Sequence, residues 1–327
     1  MRICVFGAGS VGGYLAGSLT RGGAEVSVIA RGPHLQAIQA DGLTVETPDQ
    51  SFVAKVAATD DPATLPPQDA VLVTTKTPAL PAVAATISPL LREDTPVAFV
   101  NNGVPWWYFH RHGGALEGRQ LPALDPDGAL WRTVTPERAV GSIFWPACSV
   151  PSPGVVRLLT GASQGTVFGK PDGSTPPELA ALAEAFRAAD LAVTVTPDIR
   201  TLLWRKLIFN LATGPMCVLT ETPVMDTHTE PALIECARRM AAEGLALASA
   251  MGISVTLDMD GVVAANKRLA HRPSILQDLQ TGRPMEIDAL YSVPLELARL
   301  ASVPMPTLDL IVSLIKVKAR ARGLYAG

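Results

Sequence analysis

Charge is scarce in this chain, and the little present nearly cancels. Only 17% of the 327 residues are charged, with 27 basic and 30 acidic side chains and a formal net charge of −3. Without a basic excess there is no electrostatic footprint for nucleic acid or for an anionic membrane surface. Cysteine is equally sparse. Cys4, Cys148, Cys217 and Cys236 lie far apart, with no C-x-x-C pair and no Cys/His spacing suited to a metal. Four reduced structural thiols of a cytoplasmic protein, and no metal, is the plain reading. No apolar run reaches the roughly 18–20 residues that a membrane-crossing helix needs. The chain opens directly on a strand pattern, so no cleavable secretory leader is expected. The apolar fraction, by contrast, is 48%. This is the composition of a globular enzyme of two domains, each large enough for its own core.

Glycine is not scarce, and its placement near the start carries the most information. The apolar run Ile3–Phe6 leads straight into Gly7-Ala8-Gly9-Ser10-Val11-Gly12, followed by a helical pattern through Tyr14, Leu15 and Leu19. In a dinucleotide site the first glycine of such a loop permits the tight turn and the second lets the backbone approach a pyrophosphate. The third lets the helix pack on the strand, while amides at the helix N-terminus face the phosphates. A second strand pattern at Glu25–Ile29 completes a βαβ unit, the context that distinguishes this loop from an idle glycine-rich turn. Further strands are expected at Ala70–Thr75 and Val97–Val100, and a small hairpin from Gly42–Glu46 and Phe52–Ala57. Other β regions fall at Arg138–Ser149, Gly154–Leu159, Gly165–Phe168 and Ala192–Thr196, with a helix at Pro177–Ala189. From Asp198 onward Leu, Ala and Met recur at helical spacing, as in Ala232–Met251, Met259–Ala270 and Thr307–Arg320. The expected architecture is a Rossmann-type doubly wound α/β sheet over residues 1–197, followed by an all-α domain over 198–327.

NAD-selective sites carry an acid at the end of the second strand to hold the ribose 2′-hydroxyl. Here that place reads Val28-Ile29-Ala30-Arg31-Gly32. Arg31 cannot accept those hydrogen bonds, but its guanidinium matches a 2′-phosphate with no carboxylate beside it. Lys76, at the end of a later strand, belongs to the same sheet edge. The expected cofactor is NADPH; the competing reading makes both cations solvated loop residues. In the helical part, Trp204, Leu207, Ile208 and Leu211 form an apolar stripe, and Lys206 and Asn210 share another face at i, i+4. A partly desolvated lysine beside an amide is a proton-donor candidate. Spacing alone equally allows a lysine that snorkels to the surface.

The assembly Gly7–Gly13, Ala30-Arg31-Gly32, Lys76, Asn102-Gly103, Trp204-x-Lys206-x-x-x-Asn210 and Ser274-x-x-x-Asp278-x-x-x-Gly282-Arg283-x-x-Glu286-Ile-Asp288 resembles the ketopantoate reductase family over nearly the whole chain. That family reduces 2-dehydropantoate to D-pantoate with NADPH, on the way to pantothenate. The resemblance implies Lys206 as general acid and Glu286 as the group holding the lysine or a substrate hydroxyl. It further implies substrate contacts from Asn210, Ser274 and Asn102, the last also beside the nicotinamide ribose. Each has an ordinary alternative: a helix cap for Ser274, an exposed acid for Glu286, a mere turn at Asn102-Gly103. The chain also departs from the family. Many members carry a substrate-contacting Asn eight residues after the lysine, where this sequence has Gly214 before Pro215. Losing an amide there can change which 2-keto acid is preferred. The run Trp106–Phe109 is read either as one wall of an aromatic-accepting pocket or as packing under a loop. Leu121–Arg132 is read as an added turn or hairpin. The apolar C-terminal helices suit a homodimer as well as a deep monomeric core.

Overall fold

The alternation of short apolar runs with helices builds a parallel sheet, as its pattern requires. In the computed structural model, which describes residues 1–160 and 162–326, twelve strands are found among the described residues. They are β1 (Arg2–Phe6), β2 (Glu25–Ile29), β3 (Leu43–Glu46), β4 (Ser51–Ala54), β5 (Ala57–Thr59) and β6 (Ala70–Val73), then β7 (Val97–Phe99), β8 (Ala139–Phe144), β9 (Ala147–Ser152), β10 (Val155–Thr160), β11 (Thr166–Gly169) and β12 (Val193–Val195). Eight of them form one sheet in the order β12-β11-β8-β7-β6-β1-β2-β5. All its neighbours run parallel except β8 and β11. Every residue of β6, β7 and β8 is buried, which explains their unbroken apolar runs: both faces are covered. The chain leaves β1 for β2 on one side and later returns through β6 on the other. The carboxyl end of β1 is therefore the topological switch point, where doubly wound sheets bind ligands.

Helices α1 (Ser10–Arg21), α2 (Gly32–Asp41), α3 (Leu80–Thr86), α4 (Ala129–Thr133) and α5 (Pro177–Ala188) complete this part. The expected hairpin forms as β3 and β4 but stops at Ala54, because Ala57–Thr59 leaves to extend the main sheet beside β2. A second sheet, β4-β3-β10-β9, covers α1 closely. A Cβ on Gly17 would stand 2.3 Å from Val45 Cγ2. Arg138–Ser149, read as one β region, is two strands in different sheets. Pro146 has no N–H to continue the ladder, so the chain changes sheet there. Of its two readings, Leu121–Arg132 is the turn and not the hairpin: a run of turns leads into α4. Buried Asp125 accepts hydrogen bonds from the amides of Leu130 and Trp131, both at 3.0 Å, and so starts α4. Trp106, Trp107, Tyr108 and Phe109 are all at most 2% exposed. Trp106 packs edge-on against Phe99 and Trp131. The aromatic run is core, not pocket wall.

By internal contacts the chain divides into two units. One comprises Met1–Asn101 with Pro105–Ile199, the other Asn102–Val104 with Arg200–Gly327. The second unit has no strand among its described residues. It contains α6 (Ile199–Thr220) from Arg200 onward, α7 (Val224–Thr227), α8 (Pro231–Ala250), α9 (Met259–Asn266), α10 (Ser274–Thr281), a π-helical turn (Asp288–Ser292), α11 (Val293–Leu300) and α12 (Pro306–Ala321). Helix α9 ends earlier than its apolar pattern suggests. The carbonyls of Leu269 and His271 are taken by the amides of Met225 and Val224, a tertiary pairing that holds this stretch non-helical.

Candidate active site

In the first unit the site begins where β1 stops. Gly7 turns the chain at φ +110°, and the amides of Gly7 and Ala8 donate to Ile29 O at 3.0 and 3.2 Å, fixing the loop to the end of β2. Gly12 has no substitute. A Cβ there would lie 2.0 Å from Gly7 O and 2.3 Å from Thr74 Oγ1. Gly9 is the opposite case, since a Cβ on it would meet nothing within 4 Å. It also occupies the N-cap of α1 without a side-chain acceptor. An open backbone over a helix N-terminus that no side chain caps is the surface a pyrophosphate requires. Ser10 and Val11 form the first turn of that helix beside it.

The loop has a support that the sequence did not disclose. His34 Nδ1 accepts a hydrogen bond from the Gly154 amide at 2.9 Å, so Nε2 carries the hydrogen and donates to Ala8 O at 2.7 Å. Its two partners lie 26 and 120 residues away, a separation no local pattern reveals. Arg31 is exposed at the N-cap of α2, two residues past β2. Lys76 is partly buried at the start of a single 3₁₀ turn past β6. Since β2 and β6 flank β1, these two cations stand at the same sheet edge, on opposite sides of the glycine loop.

In the second unit, Trp204, Leu207, Ile208 and Leu211 of α6 are buried, and Lys206 and Asn210 are half-buried on a different face. Burial brings the Lys206 ammonium from its ordinary 10.5 down to about 8, against the opposing pull of the Glu286 carboxylate. Lys206 therefore lies within electrostatic reach of Glu286. Glu286 is only 4% exposed, which removes the reading of it as a surface acid. Ser274 is the exposed first residue of α10, whose N-cap position is held by Pro273. Its neighbour Ile275 comes within 3.4 Å of where a Cβ on Gly214 would be, so the first turn of α10 lies against α6. Asn102 is half-buried and belongs with this unit. Two residues on, the Val104 amide donates to Ala289 O at 3.0 Å, tying the segment to the π-helical turn. The residue that sequence reasoning passed over is Tyr291, fully buried in that turn with its hydroxyl at Gly214.

A glycine loop at the switch point of a parallel sheet, joined in one chain to a helical unit bearing an acidified lysine, is the layout of a dinucleotide-dependent oxidoreductase. Residues 3–106 match the family described as ketopantoate reductase PanE/ApbA, and residues 198–319 match its C-terminal domain, described as ketopantoate reductase PanE/ApbA C terminal. The 2-dehydropantoate 2-reductase of Mesorhizobium japonicum is 39% identical over the full length of both chains. A solved structure of a candidate ketopantoate reductase from Ralstonia solanacearum MolK2 superposes with a TM-score of 0.93 at 35% identity, covering 99% of each chain. The ternary structure of a D-mandelate dehydrogenase with NADH and anilino(oxo)acetate shares the fold, with a TM-score of 0.83 at 19% identity over 99% of this chain and 100% of that one. The chain belongs to the ketopantoate reductase family.

Proposed function

We propose that this chain reduces 2-dehydropantoate to D-pantoate with NADPH. The observation that carries the reading is Lys206, an ammonium lowered to about 8 beside a buried carboxylate on a helix that also offers Asn210. Residues 1–197 hold the cofactor: Gly7, Ala8, Gly9, Ser10, Val11 and Gly12 at the pyrophosphate, Arg31 at the 2′-phosphate, and Lys76 along the same edge. Residues 198–327 take the keto acid and supply the proton. When bound, NADPH provides a hydride for the keto carbon. Lys206 Nζ, charged at neutral pH, gives its proton to the carbonyl oxygen and leaves an alcohol. Glu286 keeps the lysine charged until that moment, because an anion beside a desolvated ammonium favours the protonated form. Asn210 and Ser274 are neutral donors suited to the substrate's oxygens, and Asn102 contacts substrate and the nicotinamide ribose.

The support for NADPH over NADH is Arg31 at the end of β2 in place of an acid. Four free thiols, three of them buried, accord with a cytoplasmic location. The exposed residues Leu310, Leu314 and Val317 recur at helical spacing on α12 and favour a homodimer. Two antiparallel copies laid along this stripe would oppose their helix dipoles. The test of function is NADPH oxidation with 2-dehydropantoate and a panel of branched and aromatic 2-keto acids. Preference for 2-dehydropantoate is expected. A stronger preference for another 2-keto acid would change the substrate, and tight NADPH binding with no turnover would make the chain a sensor.

A further inference from the structure

Tyr291 is 0% exposed, and its phenolic hydroxyl has no hydrogen-bond partner. Burying a phenol without a partner is unfavourable, and a phenylalanine would fill the same space with no polar atom to desolvate. The oxygen's position indicates what it is kept for. It lies 2.7 Å from where a Cβ on Gly214 would be, so a side chain at residue 214 and the Tyr291 hydroxyl in this place exclude one another. On α6, Lys206, Asn210 and Gly214 follow at i, i+4 and i+8, each step turning only about 40° around the helix. The hydroxyl thus ends on the continuation of the face that carries the proton donor and the amide, about two turns beyond the lysine. Burial above all, with smaller contributions from Cys217 and Glu286, keeps the phenol firmly protonated and able to donate.

We propose that Tyr291 is a specificity-determining residue whose hydroxyl hydrogen-bonds a polar group at the end of the substrate remote from the reacting carbonyl. This rests on the 2-keto acid reductase reading above. For 2-dehydropantoate the remote group is the C4 hydroxyl, and 3,3-dimethyl-2-oxobutanoate is the same acid without it.

The experiment measures kcat/KM for both acids with wild type and Tyr291→Phe, taking competitive inhibition constants where turnover is too slow. The quantity read is the ratio between the two acids on one preparation, which cancels any loss of folded protein. Wild type is expected to favour the hydroxylated acid, and Tyr291→Phe to lower that ratio by about tenfold, the size of one neutral hydrogen bond. A fall of at least fivefold supports the assignment. A smaller fall, or a wild-type ratio near one, overturns it while leaving the reductase intact. Turnover of neither acid by the wild type removes the underlying reading as well.

Discussion

If Lys206 is the proton donor, its environment fixes where activity must fail as pH rises. The ammonium sits near 8 because burial penalises its charge, and Glu286 limits the drop. The donor has to be protonated, so kcat/KM for the keto acid at saturating NADPH should be level below about pH 7 and bend near 8. By pH 9 about a tenth of the enzyme still carries the proton, and by pH 10 about a hundredth. Glu286→Gln removes the supporting anion. An opposite charge close by is worth at least about one pH unit, so the bend should move down to about 7. At pH 7.5 the protonated fraction then falls from about three-quarters to about one-quarter, a threefold loss that acidification to pH 6 reverses. Lys206→Arg supplies the opposite control. A guanidinium stays charged throughout this range, so whatever activity it keeps should lose the basic limb. Lys206→Ala should cost about 10²–10⁴ in turnover with NADPH affinity little changed. A wild-type bend above pH 9.5, where an ordinary lysine would titrate, would refute the argument. An upward move in Glu286→Gln would refute the role given to the carboxylate.

Three other perturbations separate cofactor binding, folding and assembly. Arg31→Ala should raise the NADPH dissociation constant about 10- to 100-fold, the worth of a charge-assisted hydrogen bond, with NADH almost unaffected. Equal loss for both nucleotides would mean that Arg31 does not read the 2′-phosphate. Gly9→Ala and Gly12→Ala should part company. The first adds a methyl to open space and should spare the melting temperature while weakening NADPH at least about tenfold. The second drives a Cβ into Gly7 O and should cost about 3 kcal/mol or more in a denaturant melt. Identical behaviour of the pair would undo the division of labour given to the two glycines. Leu314→Glu should turn the proposed dimer into monomer in sedimentation without loss of fold, and an unchanged assembly would place the contact elsewhere.

The elements that were legible in the sequence are those whose periodicity is set by their own neighbours. β1, α1 and β2 could be read because an apolar run, a glycine loop and an amphipathic helix follow within thirty residues, and the all-helical second unit because its apolar spacing is sustained. The boundaries that moved did so for tertiary reasons. Ala57–Thr59 carries no turn signal separating it from the hairpin, yet it pairs with β2 because that edge is open. Leu269 and His271 continue an apolar pattern, but their carbonyls bond to Met225 and Val224 instead of extending α9. In both cases the decisive partner lies dozens of residues away.

The site divides along the same line. Glycines, a cation in place of an acid, and a lysine one helical turn from an amide are signatures that a residue carries in its own neighbourhood. His34 and Tyr291 carry none. A histidine that bridges Ala8 and Gly154 looks, in sequence, like any histidine early in a helix. Gly214 was legible as a missing side chain, and from sequence the missing group could only be read as lost. The space is not vacant. An oxygen supplied from 77 positions along the chain stands where that side chain would begin. A glycine and a tyrosine on two different elements thus compete for one volume, and only their proximity in space shows it. What reads along α6 only as a missing amide is, on the proposal made above, answered in space by a hydroxyl from another helical segment. A neutral phenol donates one hydrogen where an amide donates two. On that proposal the polar contact at this end of the site is single and directional, and selection among 2-keto acids would turn on the one oxygen it meets.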